Sequence, residues 1–509
     1  MTDFRIIQNA CARPATGADA RRVQDRAPGR ASRRRDGAAA LGAAIAAAML
    51  AACTSIVKVD VPPQRDVPAA FEQVPAADGT QADLAHWWSQ WQDPALARYV
   101  EDALQANTDV RVAQARVREA RALAAIAESA RYPSLSARAG GVHGFGNLRD
   151  PSQVPDGSPD LDSYAGGITA GWEVDIFGRR ASDAQAAALL ADAAQEKLRG
   201  TRVAIAGDVA QNYLEAQGLQ RRLDLLDRSL VTLHALQRYT DARFRAGQAT
   251  RYDVARVDEQ IVAREAERPA LASQIDVRRR RLAILAGQPP QQAAPLAAPG
   301  PFRVPAVPAG ELPSAVLERR PDVRATAAMV RAQAARLGSA KADLLPRFYL
   351  TFVGLDGRVH LDGLPALSGT GGLIGVGADL PIFNAGRIRS NIEANDARLQ
   401  AALAQHDKTL LQTLEEVDSA YGVRHGFDQR SERLAATLEI ARRNADEARR
   451  LYEGGRRTIQ DVLDARIDAL RREDELVQAQ TGEALATVRL YLALGGGWSS
   501  GDEGAPGKT

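Results

Sequence analysis

The chain has 509 residues, 45% apolar, 25% charged and only 5% aromatic, enough for two or three ordinary domains or one very elongated one. Its net charge of +2 misleads, because residues 1–52 hold nine basic and four acidic side chains and the remainder carries 56 basic and 59 acidic ones. A mature chain so balanced argues against nucleic acid as a partner. Two cysteines, Cys11 and Cys53, exclude a disulfide framework, and no Cys/His cluster has metal-ligand spacing. Alanine is abundant, so the composition leans helical.

Arg33, Arg34 and Arg35 precede an apolar run from Ala38 to Leu50. At 13 residues the run is too short to span a bilayer, which takes about 20, and it has the size of a signal-peptide core. It ends Leu50-Ala51-Ala52-Cys53, which resembles the bacterial lipobox, where the signal is cut before a cysteine that then receives lipid. Cys53 is thus the expected lipid-anchor residue, and a covalent lipid there the only expected cofactor. The region before the core is unusually long, and Val23 is a candidate for the true start. In bacterial lipoproteins Asp after the cysteine tends to retain the protein in the inner membrane, so Thr54 favours the outer one. No other apolar stretch reaches spanning length, so any crossing must use strands.

The remainder repeats itself. Asp109-Val110-Arg111 and Pro133 recur as Asp322-Val323-Arg324 and Pro346 at an offset of 213. Gly178-Arg179, Phe244, Gly247 and Asp253 recur as Gly386-Arg387, Tyr452, Gly455 and Asp461 at an offset of 208. The single change of five places a loop of different length between Pro133 and Gly178. Each copy reads as a helix, two strands, a very long helix, a break and a further helix. The chain therefore divides into a signal peptide (1–52), a lipidated N-terminal segment (53–95), a first repeat (96–287), a Pro-rich linker (288–312), a second repeat (313–495) and a disordered tail (496–509).

Leu226, Leu230, Leu233, Gln237, Thr240 and Phe244 step along a heptad seam, matched by Leu434, Leu438, Ala441, Ala445, Ala448 and Tyr452. A helix from Arg179 to Phe244 would be about 100 Å long. An ordinary coiled coil also fits this seam. Tyr164 to Ile176 alternates strictly, with apolar and small residues at even positions, and Ile374 to Ile382 does the same. Partner strands near Leu135–Phe145 and Phe348–Leu355 are less regular. One apolar and one polar face suits a barrel wall between lipid and water, although a half-buried soluble sheet fits the alternation alone. Four strands cannot close a barrel and open edges cannot face lipid, so several copies must share one wall.

Trp87-Trp88-Ser89-Gln90-Trp91-Gln92-Asp93-Pro94 and Glu318-Arg319-Arg320-Pro321-Asp322-Val323 resemble the opening and the mid-chain signature of the TolC-like outer-membrane factors. Ile176-Phe177-Gly178-Arg179 and Leu380 to Arg387 resemble their strand-to-helix segments. The resemblance implies a fold that is mainly α with β: a long α-helical barrel plus a transmembrane β-barrel shared between protomers, four strands per chain, in two internal repeats. It implies a homotrimer in the outer membrane, a periplasmic adaptor and an inner-membrane pump, often of the resistance-nodulation-division class. The function it implies is a passive exit duct for small molecules such as drugs or toxic compounds. The alternative is a periplasmic coiled-coil structural lipoprotein without a pore.

Both long helices end at a glycine-containing break followed by an acidic residue. In similar proteins that turn is the periplasmic tip, where charged and tyrosine contacts hold the pore shut. Arg251, Tyr252, Asp253, Arg456, Arg457 and Asp461 are therefore the candidate gate and adaptor-docking residues, and helix capping by the two aspartates is the simpler role. Enzyme readings find little support: the six histidines are scattered, the glycines at 369–377 sit on an alternating strand, and the terminal Gly-Lys-Thr lacks the spacing of a phosphate loop. An energy source must come from a partner.

Overall fold

The computed structural model describes residues 57, 59–60, 66–75, 84–144, 161–300, 303–361 and 365–498. The signal peptide and Cys53 lie outside them. The first repeat runs α1 (Pro94–Ala106), α2 (Thr108–Ser129), β1 (Ser134–Gly144), β2 (Leu161–Val174), α3 (Arg179–Arg245) and α4 (Arg251–Leu285). The second runs α5 (Pro313–Arg319), α6 (Pro321–Ala342), β3 (Arg347–Leu361), β4 (Leu367–Asp379), α7 (Arg387–Glu453) and α8 (Ile459–Ala493). The change of offset falls within the strand hairpins, where the sequence places it.

The duplication is metrically close: α3 and α7 each have 67 residues, and α4 and α8 each have 35. At about 1.5 Å per residue the long pair are rods of about 100 Å. Both start at a glycine with positive φ, Gly178 at 75° and Gly386 at 86°, a backbone region that glycine enters at low cost. At the first rod, the Asp175 carboxylate accepts the Arg180 and Ala181 backbone N–H groups at 3.0 and 2.7 Å, satisfying donors that a helix start leaves open. The heptad seam is the packed face, with Leu226, Leu233, Thr240, Leu438 and Ala441 buried. Pro269 lies on the exposed side of α4 without ending it. On α3, Gly207 faces Leu492 and Gly218 faces Thr481 of α8, so these glycines allow close helix approach.

A girdle of short segments ties the rods together. Trp87 is 0% exposed and stacks on Tyr491 of α8 with ring centroids 5.5 Å apart. The Tyr491 hydroxyl donates to Gln90 Oε1 at 2.7 Å, Tyr213 of α3 donates to Asp93 at 2.8 Å, and Tyr421 of α7 donates to the Pro308 carbonyl at 2.8 Å. Arg320 binds Asp322 at 2.6 Å, Glu416 at 2.8 Å and the Ala493 carbonyl at 3.0 Å. The tryptophan-rich opening and the mid-chain signature are thus the clasp of one girdle. The expectation of a disordered tail from residue 496 is corrected at its start. Gly497 donates its N–H to the Leu84 carbonyl at 2.7 Å, and the Trp498 ring lies under the Arg199 guanidinium at 4.6 Å. A ring face that attracts two arginines, the second being Arg324, holds this end down. The rest of the tail is outside the described residues.

The four strands form one antiparallel sheet in the order β1-β2-β3-β4. β1 and β4 are exposed along nearly their whole length, and Val376 is 78% exposed. The apolar side chains of the sheet lie bare, and the outer edges of β1 and β4 have no strand partner among the described residues. The expectation of one apolar and one polar face holds only for the half nearest the rods. There Leu135, Ile168, Trp172, Leu350, Phe352 and Val376 share one face, and Ser136, Thr169, Glu173 and Thr351 share the other. In the distal half the polarity of the two faces is reversed, because the register continues unbroken while the sequence pattern changes phase.

Candidate functional site

The hairpins α3–α4 and α7–α8 each end in a tip of the same construction. Gly247 and Gly455 take φ of 69° and 70°, and the next residue closes back on the rod, Gln248 N to the Arg243 carbonyl at 2.9 Å and Arg456 N to the Leu451 carbonyl at 2.8 Å. This terminates the rod with its last carbonyls satisfied. The return helix opens with a capping box. The Asp253 carboxylate accepts the Thr250 N–H and hydroxyl, both at 2.7 Å, and Thr250 Oγ1 accepts the Asp253 N–H at 3.2 Å. Asp461 and Thr458 repeat it at 2.9, 2.8 and 3.3 Å.

The candidate gate residues therefore divide by task. Asp253 and Asp461 cap helices, and the Thr250 and Thr458 backbone N–H groups, with their hydroxyls, hold both carboxyls below the usual range. A depressed carboxyl stabilises the cap above its ordinary pKa and loses that contribution as pH falls through the lowered value. Tyr252 is 73% exposed, and Arg251 and Arg456 also face outward. Arg457 lies 3.8 Å from Asp461 within its own tip. These side chains are displayed rather than packed.

An apolar cluster outside the sequence-derived set joins the hairpins. Leu233 and Leu236 of α3, Val257 and Ile261 of α4 and Leu463 of α8 form one apolar cluster. Beside it Asp464 feels the charge of Arg256. Asp464 keeps much of its surface exposed, and the partial desolvation of its carboxyl, which raises its pKa, is opposed by the Arg256 charge. Arg256 and Asp464 occupy equivalent places at the offset of 208, so the repeat carried the signal as an exchange of charge between copies.

At the other end of the rods a charged collar marks the passage from helix to strand. Glu173 on the polar face of β2 accepts from Arg179 at 2.7 Å and from Arg180 at 2.8 Å. Arg347 at the start of β3 binds Asp343 at 2.6 Å. Among the described residues no group of three or more His, Cys, Asp or Glu could hold a metal ion, and no helix is long and apolar enough to cross a membrane.

Residues 99–288 and 312–496 match the family described as Outer membrane efflux protein. The chain is 30% identical over 447 residues to the pyoverdine export outer membrane protein OpmQ of Pseudomonas aeruginosa, covering 86% of this chain and 92% of that one. Outer membrane protein OprJ of the same organism is 30% identical over 83% of this chain and 88% of its own. The outer-membrane channel OprN superposes with a TM-score of 0.73 at 30% identity, over 86% of this chain and 99% of that one. The open state of the Neisseria gonorrhoeae MtrE outer membrane channel does so at 0.76 and 25% identity, over 87% and 98%. With both repeats matched and the rods, sheet and girdle in place, the chain belongs to the outer membrane efflux protein family.

Proposed function

We propose that three copies of this chain form the outer-membrane exit duct of a tripartite pump, a passive conduit for small molecules that works without catalysis. The bare four-stranded sheet carries the reading. Its unpaired edges cannot face lipid, so copies must pair edge to edge, and three of them supply twelve strands from four each, an even number in the range of known barrels. The rods of each copy continue the wall into the periplasm, where the exposed tips receive a periplasmic adaptor and, through it, an energised inner-membrane pump. Purified protein in planar bilayers should open long-lived ion-conducting pores. A detergent-free monomer without conductance would leave only the coiled-coil alternative.

Cys53 is the lipid anchor in this reading. A single acyl chain holds a protein only marginally, so the barrel supplies most of the attachment and the lipid directs sorting. Mass spectrometry of the purified protein should find its first residue to be Cys53 carrying lipid; a peptide running through Ala52 into unmodified Cys53 would refute it.

The tips form the gate and the docking surface, with Arg251, Tyr252, Arg456 and Arg457 displayed around the two capping aspartates. Asp253→Ala with Asp461→Ala should fray the first turns of α4 and α8 and raise the open fraction of the pore in planar bilayers several-fold. Pores as closed as wild type would reduce the aspartates to caps.

A further inference from the structure

On the conduit reading, the reversal of polarity along the sheet bears on where the membrane lies and on what the far end of the duct meets. Cross-strand register places His143 opposite Asp162 and Asp162 opposite His360, with Tyr164 opposite Arg358 and Arg358 opposite Ser368 in the next row. Opposed residues share a face, so these polar residues lie on the face that, nearer the rods, carries Ile168, Trp172, Leu350 and Phe352. His143 Nδ1 is 2.7 Å from Asp162 Oδ1. On the opposite face, beyond the Gly354 row, stand Val142, Leu161, Leu355, Val359 and Leu367, with Arg138 level with Leu355 at the inner end of the set. The three ladders run without a bulge from end to end, so no side chain changes sides. The glycine pair Gly354 and Gly372 lies at the changeover.

Strand length accounts for the reversal. β2 has 14 residues, about 47 Å at 3.4 Å each. Tilted by 35–45° it stands roughly 33–38 Å tall against an apolar band of about 25 Å. The distal end therefore overhangs the hydrocarbon by about 10 Å, and the outward-facing Arg358, His143 and Asp162 need never enter it. On the conduit reading the apolar residues behind them look into the lumen, which nearer the rods carries Ser136, Thr169, Glu173 and Thr351.

We propose that this inward apolar ring is a weak binding collar for apolar and amphiphilic solutes at the exit of the duct. The inference rests on the conduit reading and names the class of cargo that the exit favours. An apolar belt in a wet, polar tube leaves water at unfavourable surface, and a solute with apolar area relieves that. Ions and strongly polar solutes gain nothing from it.

The test uses two organic cations of equal charge, tetraphenylphosphonium and tetramethylammonium, added on the collar side of full-length channels in planar bilayers. Wild type should show current block by tetraphenylphosphonium and none by tetramethylammonium at equal concentration. Leu355→Ser, Val359→Ser and Leu367→Ser together should weaken the tetraphenylphosphonium block about tenfold, equal to the transfer of roughly two methylenes, while conductance in plain salt is unchanged. If the triple variant forms no channels, Val359→Ser alone should weaken the block two- to threefold. Equal block of wild type and variant overturns the collar, since the face is then covered in the assembled channel. Equal block by both cations overturns it as well. A wild-type protein that forms no pore refutes the conduit reading instead.

Discussion

Leu350→Arg is expected to abolish stable assembly in the membrane, whereas Thr351→Arg, one residue along the same strand, leaves it intact. Leu350 lies opposite Trp172 and Val376 on the face read as lipid-facing. An arginine on a lipid-facing position costs about 2–4 kcal/mol at the bilayer midplane and less towards either interface, so each copy meets a cost below that ceiling at Leu350. A threefold assembly meets that cost once per copy. Thr351 lies opposite Gly171 and Gly375 on the luminal face, where a guanidinium stays in water. Arg358 is a native control. It shares the Leu350 face eight residues farther along the strand, about 27 Å at 3.4 Å each, beyond the hydrocarbon. The measurement is the yield of detergent-resistant oligomer after outer-membrane extraction. Equal yields for the two variants would mean that this face does not meet lipid.

The same strands show how far the sequence could be read. Rods, repeat and breaks were legible because each is a local or periodic signal. A heptad seam needs only its own steps, and a glycine followed by a capping aspartate needs only ten residues. β2 alternates cleanly because Tyr164, Gly166 and Ile168 all suit an apolar face, so that strand alone conceals the reversal. β1 and β3 looked irregular for the reason that now explains them: Phe352 and Arg358 occupy one face but different heights in the membrane. Only the register joins His143, Asp162 and His360 into a row. The girdle was illegible for a different reason, since Gln90 and Tyr491 meet across 401 positions of chain. No pattern of spacing encodes such a contact. The motifs that make it were recognisable only by resemblance, and their task was hidden until the chain closed on itself.

That closure makes Trp87 the position where a single truncation should do most harm to the protomer. Trp87 is fully buried, lies face to face with Tyr491 and edge to face with Trp88, with centroids 5.8 Å apart in the second pair. The backbone of Gly496 and Gly497 closes over it. Trp87→Ala removes a large apolar side chain from a site walled by a helix end, a turn and a second ring, none of which can collapse into the space, so the cost is about 3–5 kcal/mol. Trp87→Phe keeps a ring against Tyr491 and should cost much less. The loss should appear first in the girdle, because α8 is held there through Tyr491 and the segment after it through Leu84. Limited trypsin digestion should then cut within the linker, at Arg303, at concentrations that leave wild type whole, while the coiled rods remain resistant. If Trp87→Ala resists trypsin and heat as wild type does, the girdle is an ornament on rods that hold themselves together, and the clasp assigned to the two signature motifs is wrong.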